Sequence, residues 1–364
     1  MNFSESNVSA TSAMTSLGSG LKYISASVYV VIIVMALIGN LLACFAFIAS
    51  GIVRMSPTNH FIFSLALSDL LTTCFAMPFD LEQLLTNQTW SHGEALCQVW
   101  TSTYLITVPS SIWSLLAVSV DRYKSIKDPL NRFRQTPFMT RRRAGLVILS
   151  LWIYSGIFAL MPVMGWKRLP RSVQNNFCEF NMTPEYSLLS STVNFVLPTL
   201  FMCALYWRIY KIASGMTTEE ALNPVENSSY VGRSSTRSLK KRIKTTKNIL
   251  FVACAFFFCW MPHTILSMVT TVMYMSSCIP CLYAIPGELY IILLMLGYLS
   301  SALNPYLYAL RNKKFRNAFS GVVPALRCKL VQRHPSSRTS GTQQSSSLLR
   351  NQSRQSTATR TTTL

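Results

Sequence analysis

The sequence predicts an all-α membrane protein: a bundle of seven transmembrane helices followed by a short amphipathic eighth helix. Three observations predict it. Half of the 364 residues are apolar or aromatic and only 13% are charged, against about 25% in a soluble domain, so the chain lacks the polar surface to coat itself in water. Seven stretches are long and apolar enough to cross a hydrocarbon core, which takes roughly 20 residues of helix. The 33 Lys and Arg outnumber 13 Asp and Glu but sit between those stretches. Nucleic-acid binding needs a soluble scaffold to display such charge, so it is excluded.

Residues 1–22 are rich in Ser, Thr and Asn and lack the apolar core of a cleavable signal, so the first span is expected to act as its own insertion signal. Spans 24–53, 95–120, 144–166, 186–207, 248–286 and 289–310 contain no Asp, Glu, Lys or Arg, and the second, 58–79, contains Asp69 alone. The run 248–286 is longer than one crossing needs. Its far part, Ser276-Ser277-Cys278-Ile279-Pro280-Cys281, reads as a loop, because paired serines and proline punctuate helices. The helical domain is therefore 23–310, with a third inner loop at about 214–240. There the Ser, Thr and Glu content cannot bury a core and predicts a flexible connection. In 311–328, basic and aromatic residues alternate at helical spacing from Lys313 to Phe319, as in an interfacial amphipathic helix. Cys328, between Arg327 and Lys329, is a candidate palmitoylation site against membrane lipids. The tail, 329–364, is mostly Ser, Thr, Gln and Arg, and reads as disordered and phosphorylatable.

Orientation follows from the basic residues, 29 of 33 of which lie on one side of the spans. The positive-inside rule places that side in the cytoplasm and the N-terminus outside, as a multi-pass protein of the plasma membrane. The sequons at Asn2, Asn7, Asn87 and Asn181 then lie outside, where glycosylation is possible, and those at Asn227 and Asn351 are chance matches inside. Cys97, Cys178, Cys278 and Cys281 lie in or beside outer loops, the oxidising side, and are expected to pair as Cys97 with Cys178 and Cys278 with Cys281. Cys44, Cys74, Cys203, Cys254 and Cys259 read as small buried packing residues. With four His and no ligand spacing, no metal cluster is expected.

Polar residues inside spans are costly in hydrocarbon and mark function. Taken singly, a Pro or Trp there reads as packing or a kink. Here they form an ordered set: Gly39-Asn40 in the first span, Leu65-Ala66-Leu67-Ser68-Asp69-Leu70 in the second and Asp121-Arg122-Tyr123 closing the third. Trp152 follows in the fourth, Pro198 in the fifth, Cys259-Trp260-Met261-Pro262 in the sixth and Asn304-Pro305-Tyr306-Leu307-Tyr308 in the seventh. This set resembles the class A, rhodopsin-like G-protein-coupled receptors over about 23–319. Within that class, Gly297-Tyr298 with Ser301, and Ser190-Ser191 with Asn194, resemble the amine receptors of adrenergic, histamine and serotonin type.

The resemblance implies a receptor that passes an extracellular small-molecule signal to heterotrimeric G proteins, with arrestin and receptor kinases acting on the Ser/Thr-rich tail. It implies a ligand site at Tyr104, Val108, Ser190, Ser191, Asn194, Trp260, His263, Thr264 and Tyr298. It further implies an allosteric sodium ion at Asp69, Ser111 and Asn304, and a packing switch at Ile112, Pro198 and Phe256. Tyr206 and Tyr308 would reach toward Arg122 on activation, and Asp121, Arg122, Tyr123 and Leu130 would meet the G protein.

Two departures from the amine pattern replace an acidic residue. Amine receptors carry an Asp eighteen positions before the Arg of Asp-Arg-Tyr, to pair with the ligand's ammonium; here that residue is Tyr104. A phenol with a reference pKa of about 10 is neutral at pH 7, and a cation–π contact, typically about 0.5 to 2 kcal/mol, replaces only part of a buried ion pair. Asp80 or Glu179 is the alternative source of charge, or else both are solvated rim residues. The expected agonist is accordingly atypical, a neutral or weakly basic aromatic molecule. His263 replaces an aromatic carbocycle, either as a pH-sensitive hydrogen-bonding group or as a neutral core residue. The second departure is Arg242, where many amine receptors carry the Glu that locks the Arg of Asp-Arg-Tyr. Like charges repel, so high basal activity is expected.

Rival readings are a constitutively active orphan receptor, a receptor for a lipid or peptide, and a seven-span transporter. Transporters usually show repeated halves, which are not apparent here. Covalent retinal binding needs a Lys in the seventh span, where 289–310 has none. No span gathers a nucleophile, a base and an orienting group, so an enzyme is not expected.

Overall fold

The structure, a computed structural model, describes residues 19–49, 56–127, 138–222 and 230–311. It is almost wholly helical. Helix α1 (Ser19–Ala49) is the first span; α2 (Pro57–Phe75) and α3 (Met77–Leu85) form the second; α4 (Gly93–Lys127) is the third and α5 (Arg141–Leu160) the fourth. A hairpin of β1 (Val173–Gln174) and β2 (Phe177–Cys178) precedes the fifth span, built from α6 (Pro184–Ser191), a π-helical turn (Thr192–Val196) and α7 (Leu197–Leu222). Helix α8 (Tyr230–Met275) is the sixth, α9 (Ile279–Tyr283) a short connector and α10 (Gly287–Arg311) the seventh. Seven spans among the described residues are long and apolar enough to cross a membrane.

Helix α4 runs through the middle, packed on α2, α5, α7 and α8, while α10 closes the bundle against α8 and α1. Leu146, Leu149, Ile153 and Ile157 of α5 and Phe201 and Trp207 of α7 face outward and are exposed. Lipid solvates such side chains as well as a protein core does, so the outside of the bundle is apolar and its polar groups are inside. Asn40, Asp69, Ser111, Ser301 and Asn304 are all buried.

Prolines set the irregularities. The second span breaks at Ala76, two residues before Pro78, and resumes as α3 to Leu85, beyond the expected end at 79. Proline lacks an amide N–H and its ring clashes with the carbonyl four residues back. The break redirects α3 so that Asp80 meets the seventh span, its carboxylate accepting from the Tyr298 hydroxyl at 2.7 Å. In the fifth span, Pro198 cannot donate to Asn194, and the π-helical turn lies directly before it. Such one-turn π segments are frequent at functional sites.

Several boundaries differ from expectation. The fourth span ends at Leu160 rather than 166. The inner connection expected as a flexible loop over about 214–240 is largely helical among the described residues, since α7 extends to Leu222 and α8 begins at Tyr230. A helix satisfies its own backbone wherever it runs, and residues such as Glu219, Glu220, Ala221 and Leu222 are good helix formers. Asn2, Asn7, Leu130, Cys328, the amphipathic segment beyond Arg311 and the 329–364 tail lie outside the described residues, as does the side chain of Arg242.

Candidate functional site

The hairpin roofs one end of the bundle. Asn175 and Asn176 take positive φ of 50° and 63°, the left-handed pair that a two-residue hairpin turn requires and that Asn tolerates best. The Cys97–Cys178 disulfide, with Cα atoms 5.7 Å apart, fastens β2 to the head of α4. One turn of α4 away, the Glu94 carboxylate accepts from the Ser172 and Val173 amides at 2.7 and 2.9 Å. The Trp90 amide donates to Asn176 O at 2.6 Å. Roof and bundle therefore form one unit, and Phe180, just past the disulfide, packs its ring on Trp100 and Tyr104 at 5.0 and 5.5 Å. Cys278 and Cys281 are bonded to each other across the start of α9; of the five cysteines expected to be buried, Cys259 is, Cys44 and Cys254 are half-buried, and Cys74 and Cys203 are exposed on the apolar outside of the bundle, where lipid solvates them.

Beneath the roof lie two cavities that share one wall, Tyr104. The larger, about 270 Å³, is bounded by α1, α3, α4 and α10 and has Asp80, Glu179, Tyr290 and Tyr298 on its lining. The smaller, about 100 Å³, lies between α4, α8 and the fifth span and gathers Val108, Ser190, Ser191, Asn194, Trp260, His263 and Thr264. The residues expected to hold a ligand are thus brought together, but in two compartments. Tyr104 separates them through ring contacts with Trp260 at 5.7 Å and His263 at 6.3 Å. Its hydroxyl stands 3.5 Å from His263 Nδ1.

The smaller cavity's polar wall is already occupied. The Asn194 side-chain oxygen accepts from Tyr154 at 2.7 Å and Trp113 at 3.5 Å, and its amide donates to Ser190 at 3.4 Å. Ser191 lines the same wall. The two acidic residues of the larger cavity differ. Glu179 is ion-paired to Arg168 at 3.1 Å, whereas no basic side chain among the described residues pairs with Asp80. Tyr29, Trp100 and Tyr290, which also line this cavity, were not singled out from sequence. In a bundle whose outer surface is as apolar as its inside, hydropathy does not show which face of a helix turns inward.

Trp260 lines the smaller compartment and touches Tyr104 and Tyr298, which line the larger. Its indole N–H donates to Ser300 Oγ at 3.0 Å, and its ring meets Tyr298 edge-on at 5.8 Å. Gly297 lets it lie there, because a Cβ on Gly297 would fall 2.8 Å from the indole Cε3. Gly297→Ala is therefore expected to displace the indole and lower the melting temperature, with an overpacking cost of about 1–3 kcal/mol. In a Trp260→Phe background, which leaves room for the methyl, the same change should cost much less; equal costs in both backgrounds would show that the contact does not matter.

Below Trp260, Ile112 and Phe256 are buried in one core with Phe195 and Met202, and Phe256 lies 6.3 Å from the Trp260 ring. Pro198 is the second residue of α7 and is buried. Deeper still, Asn304 donates to Asp69 at 2.9 Å. Ser111 bonds instead to Ser68 at 2.7 Å, and the Asp69 carboxylate takes its second hydrogen bond from Ser301. Asn40 ties the first span to the seventh by donating to Ser301 O at 3.0 Å.

At the opposite end, Arg122 is held by Asp121 of its own helix and donates to Thr58 Oγ1 of α2 at 2.6 Å. Thr58 was not expected in this role, since nothing local marks a Thr at the start of a span. Ser119, one turn earlier, donates to the Tyr206 hydroxyl at 3.0 Å, and Tyr308 is buried. Tyr123 lies next to Arg122, with the Lys127 ammonium 5.8 Å from its ring. Among the described residues no three His, Cys, Asp or Glu cluster as a metal site would require.

Residues 39–308 match the family described as 7 transmembrane receptor (rhodopsin family). The chain is similar to 5-hydroxytryptamine receptor 4 of Cavia porcellus, 31% identical over 308 residues, covering 79% of this chain and 76% of that protein. It is similar to the histamine H2 receptor of Canis lupus familiaris, 31% identical over 333 residues, covering 90% and 86%. It also resembles octopamine receptor beta-1R of Drosophila melanogaster, 29% identical over 318 residues, covering 81% and 60%.

Proposed function

Given that the chain belongs to the rhodopsin family of seven-transmembrane receptors, and is thus a G-protein-coupled receptor of the plasma membrane and not an enzyme, we propose that its roofed end faces outward and receives a small organic molecule. The observation that carries this reading is Tyr104, which lines both cavities and rests on Trp260, above the packed core of Ile112 and Phe256. A molecule entering either compartment presses on a side chain that has few discrete positions in a dense core, and such cores respond by switching. The relatives' names, serotonin, histamine and octopamine receptors, favour a ligand of biogenic-amine size. The test is a small-molecule panel read by nucleotide exchange on several heterotrimeric G proteins. A compound that drives exchange in this receptor and not in a Trp260→Ala variant supports the reading; no response to any compound, together with no basal exchange, refutes it.

A sodium ion suits Asp69, a buried carboxylate that has no basic partner among the described residues and takes its hydrogen bonds from Asn304 and Ser301, with the buried hydroxyls of Ser68 and Ser111 as further hard donors. When bound, the ion would supply positive charge that favours the resting packing. Arrestin and receptor kinases would act on the Ser- and Thr-rich tail.

Outward orientation makes the sequons testable. Asn87 is exposed in a turn after α3. Asn181 is instead built into the roof, accepting from the Arg168 and Leu169 amides at 3.0 and 2.8 Å and donating to Leu169 O at 2.8 Å. A glycan would take its nitrogen. Asn87→Gln is therefore expected to shift the glycosidase-sensitive band on a gel, while Asn181→Gln leaves that band unchanged and lowers thermal stability. A band shift from Asn181→Gln would contradict this assignment.

A second reading, raised ligand-independent signalling, rests on Arg242. Cells expressing the receptor without ligand should then show second messenger above mock-transfected cells, and equality between the two would count against it.

A further inference from the structure

We infer that the larger cavity binds the ammonium group of an organic cation, with Asp80 as its counter-ion and aromatic rings as its walls. The inference rests on the receptor reading above and narrows the ligand to a charge class.

The starting point is a charge without an opposite. Asp80 lies inside the bundle, on the cavity lining, and its hydrogen bonds come from two uncharged partners, the Tyr298 hydroxyl to Oδ2 at 2.7 Å and the Trp100 indole N–H. A carboxylate has about four lone-pair positions, so about half of its accepting capacity remains. Burying such a group is costly unless a cation pairs with it. Among the described residues no Lys, Arg or His lies in ion-pair range of Asp80. The cavity's other acid, Glu179, is already matched by Arg168 at 3.1 Å. One negative charge is therefore left over, on the inner acid and not on the rim.

The walls suit the same guest. Tyr29, Trp100, Tyr104, Tyr290 and Tyr298 all border the cavity. Ring faces attract ammonium groups, and most strongly where water is excluded. The volume of about 270 Å³ accommodates a compact cationic head with one ring and is too small for a folded peptide. Tyr298 supplies the link to the switch, because it joins Asp80 through its hydroxyl and Trp260 through its ring, 5.8 Å away. An ammonium competing for the Asp80 carboxylate loosens Tyr298 and so reaches the indole. The charge that amine receptors take from the third span would here come from the second, on the other side of Tyr104.

The test uses the full-length receptor in detergent and reads melting temperature, so it does not depend on G-protein coupling. The probes are phenethylamine, charged at neutral pH, and phenethyl alcohol, its uncharged analogue of similar size. Phenethylamine is expected to raise the melting temperature of the wild type and the alcohol to leave it unchanged. Asp80→Asn keeps an acceptor for Tyr298 but removes the charge, and should weaken the amine's apparent affinity by about 100-fold or more. Tyr298→Phe removes the hydrogen bond but keeps carboxylate and ring, and should retain the shift. The inference is overturned if the amine gives no shift, if the alcohol matches it, if Asp80→Asn responds like the wild type, or if Tyr298→Phe loses the shift together with Asp80→Asn. Basal nucleotide exchange measured on the same preparations reports separately on the receptor reading.

Discussion

Cys97→Ser or Cys178→Ser is expected to lower the melting temperature by on the order of 10 °C and to abolish ligand responses. The bond joins residues 81 apart in sequence, and constraining a loop of that length contributes about 4.5 kcal/mol in the chain-entropy account. The same cut frees the roof. Phe180 follows the disulfide and packs on both Trp100 and Tyr104, so the shared wall of the two cavities loses its support from above. The amides that bond Glu94 hold only the start of the hairpin. By contrast, Cys278 and Cys281 are only 3 apart, and their removal should cost far less. Differential scanning fluorimetry on the single and paired serine variants checks this; equal losses at the two bridges would show that loop length is not what matters.

Arg122→Leu is expected to abolish nucleotide exchange, basal and stimulated alike, while leaving a folded receptor at the surface. The guanidinium is the one basic group held at that end by both an acid of its own helix and a hydroxyl of α2 among the described residues. Asp121→Asn should act in the opposite direction. It removes a charge-assisted bond of roughly 1.5–3 kcal/mol and leaves Thr58 as the remaining partner, shifting the resting-to-active ratio by about 10- to 100-fold toward the active form. Thr58→Val should give a smaller increase of the same sign. Exchange rates on membranes from the three variants order the two restraints, and an Asp121→Asn receptor quieter than wild type would refute the assignment of Asp121 as a restraint.

The spans were legible because a bilayer imposes one simple demand, a run of apolar residues, and each of the seven runs meets it. Pro78 and Pro198 also announced trouble in their helices, though not its form: a break at Ala76 in one case and a π-helical turn at Thr192–Val196 in the other. The hairpin was missed, although Asn175-Asn176 between Val173-Gln174 and Phe177 carries the turn signal. Its strands are only two residues long, too short for alternation to show. Asp69 with Asn304, and Ile112 with Phe256, were reached through ordered motifs and not from spacing, because no local pattern places residues 235 positions apart side by side. The division of the expected ligand-binding residues between two cavities was not legible at all. It depends on where the Tyr104 ring points, and that follows from packing against Trp260, His263 and Phe180.

The π-helical turn before Pro198 amounts to one surplus residue in the fifth span. Deleting a single amino acid between Thr192 and Val196 would restore regular winding and rotate everything upstream by about 100°, carrying Ser190 and Ser191 off the cavity wall while Pro198 and the core beneath it keep their places. Length variation at this point is thus a way to change which side chains line the cavity without disturbing the core below.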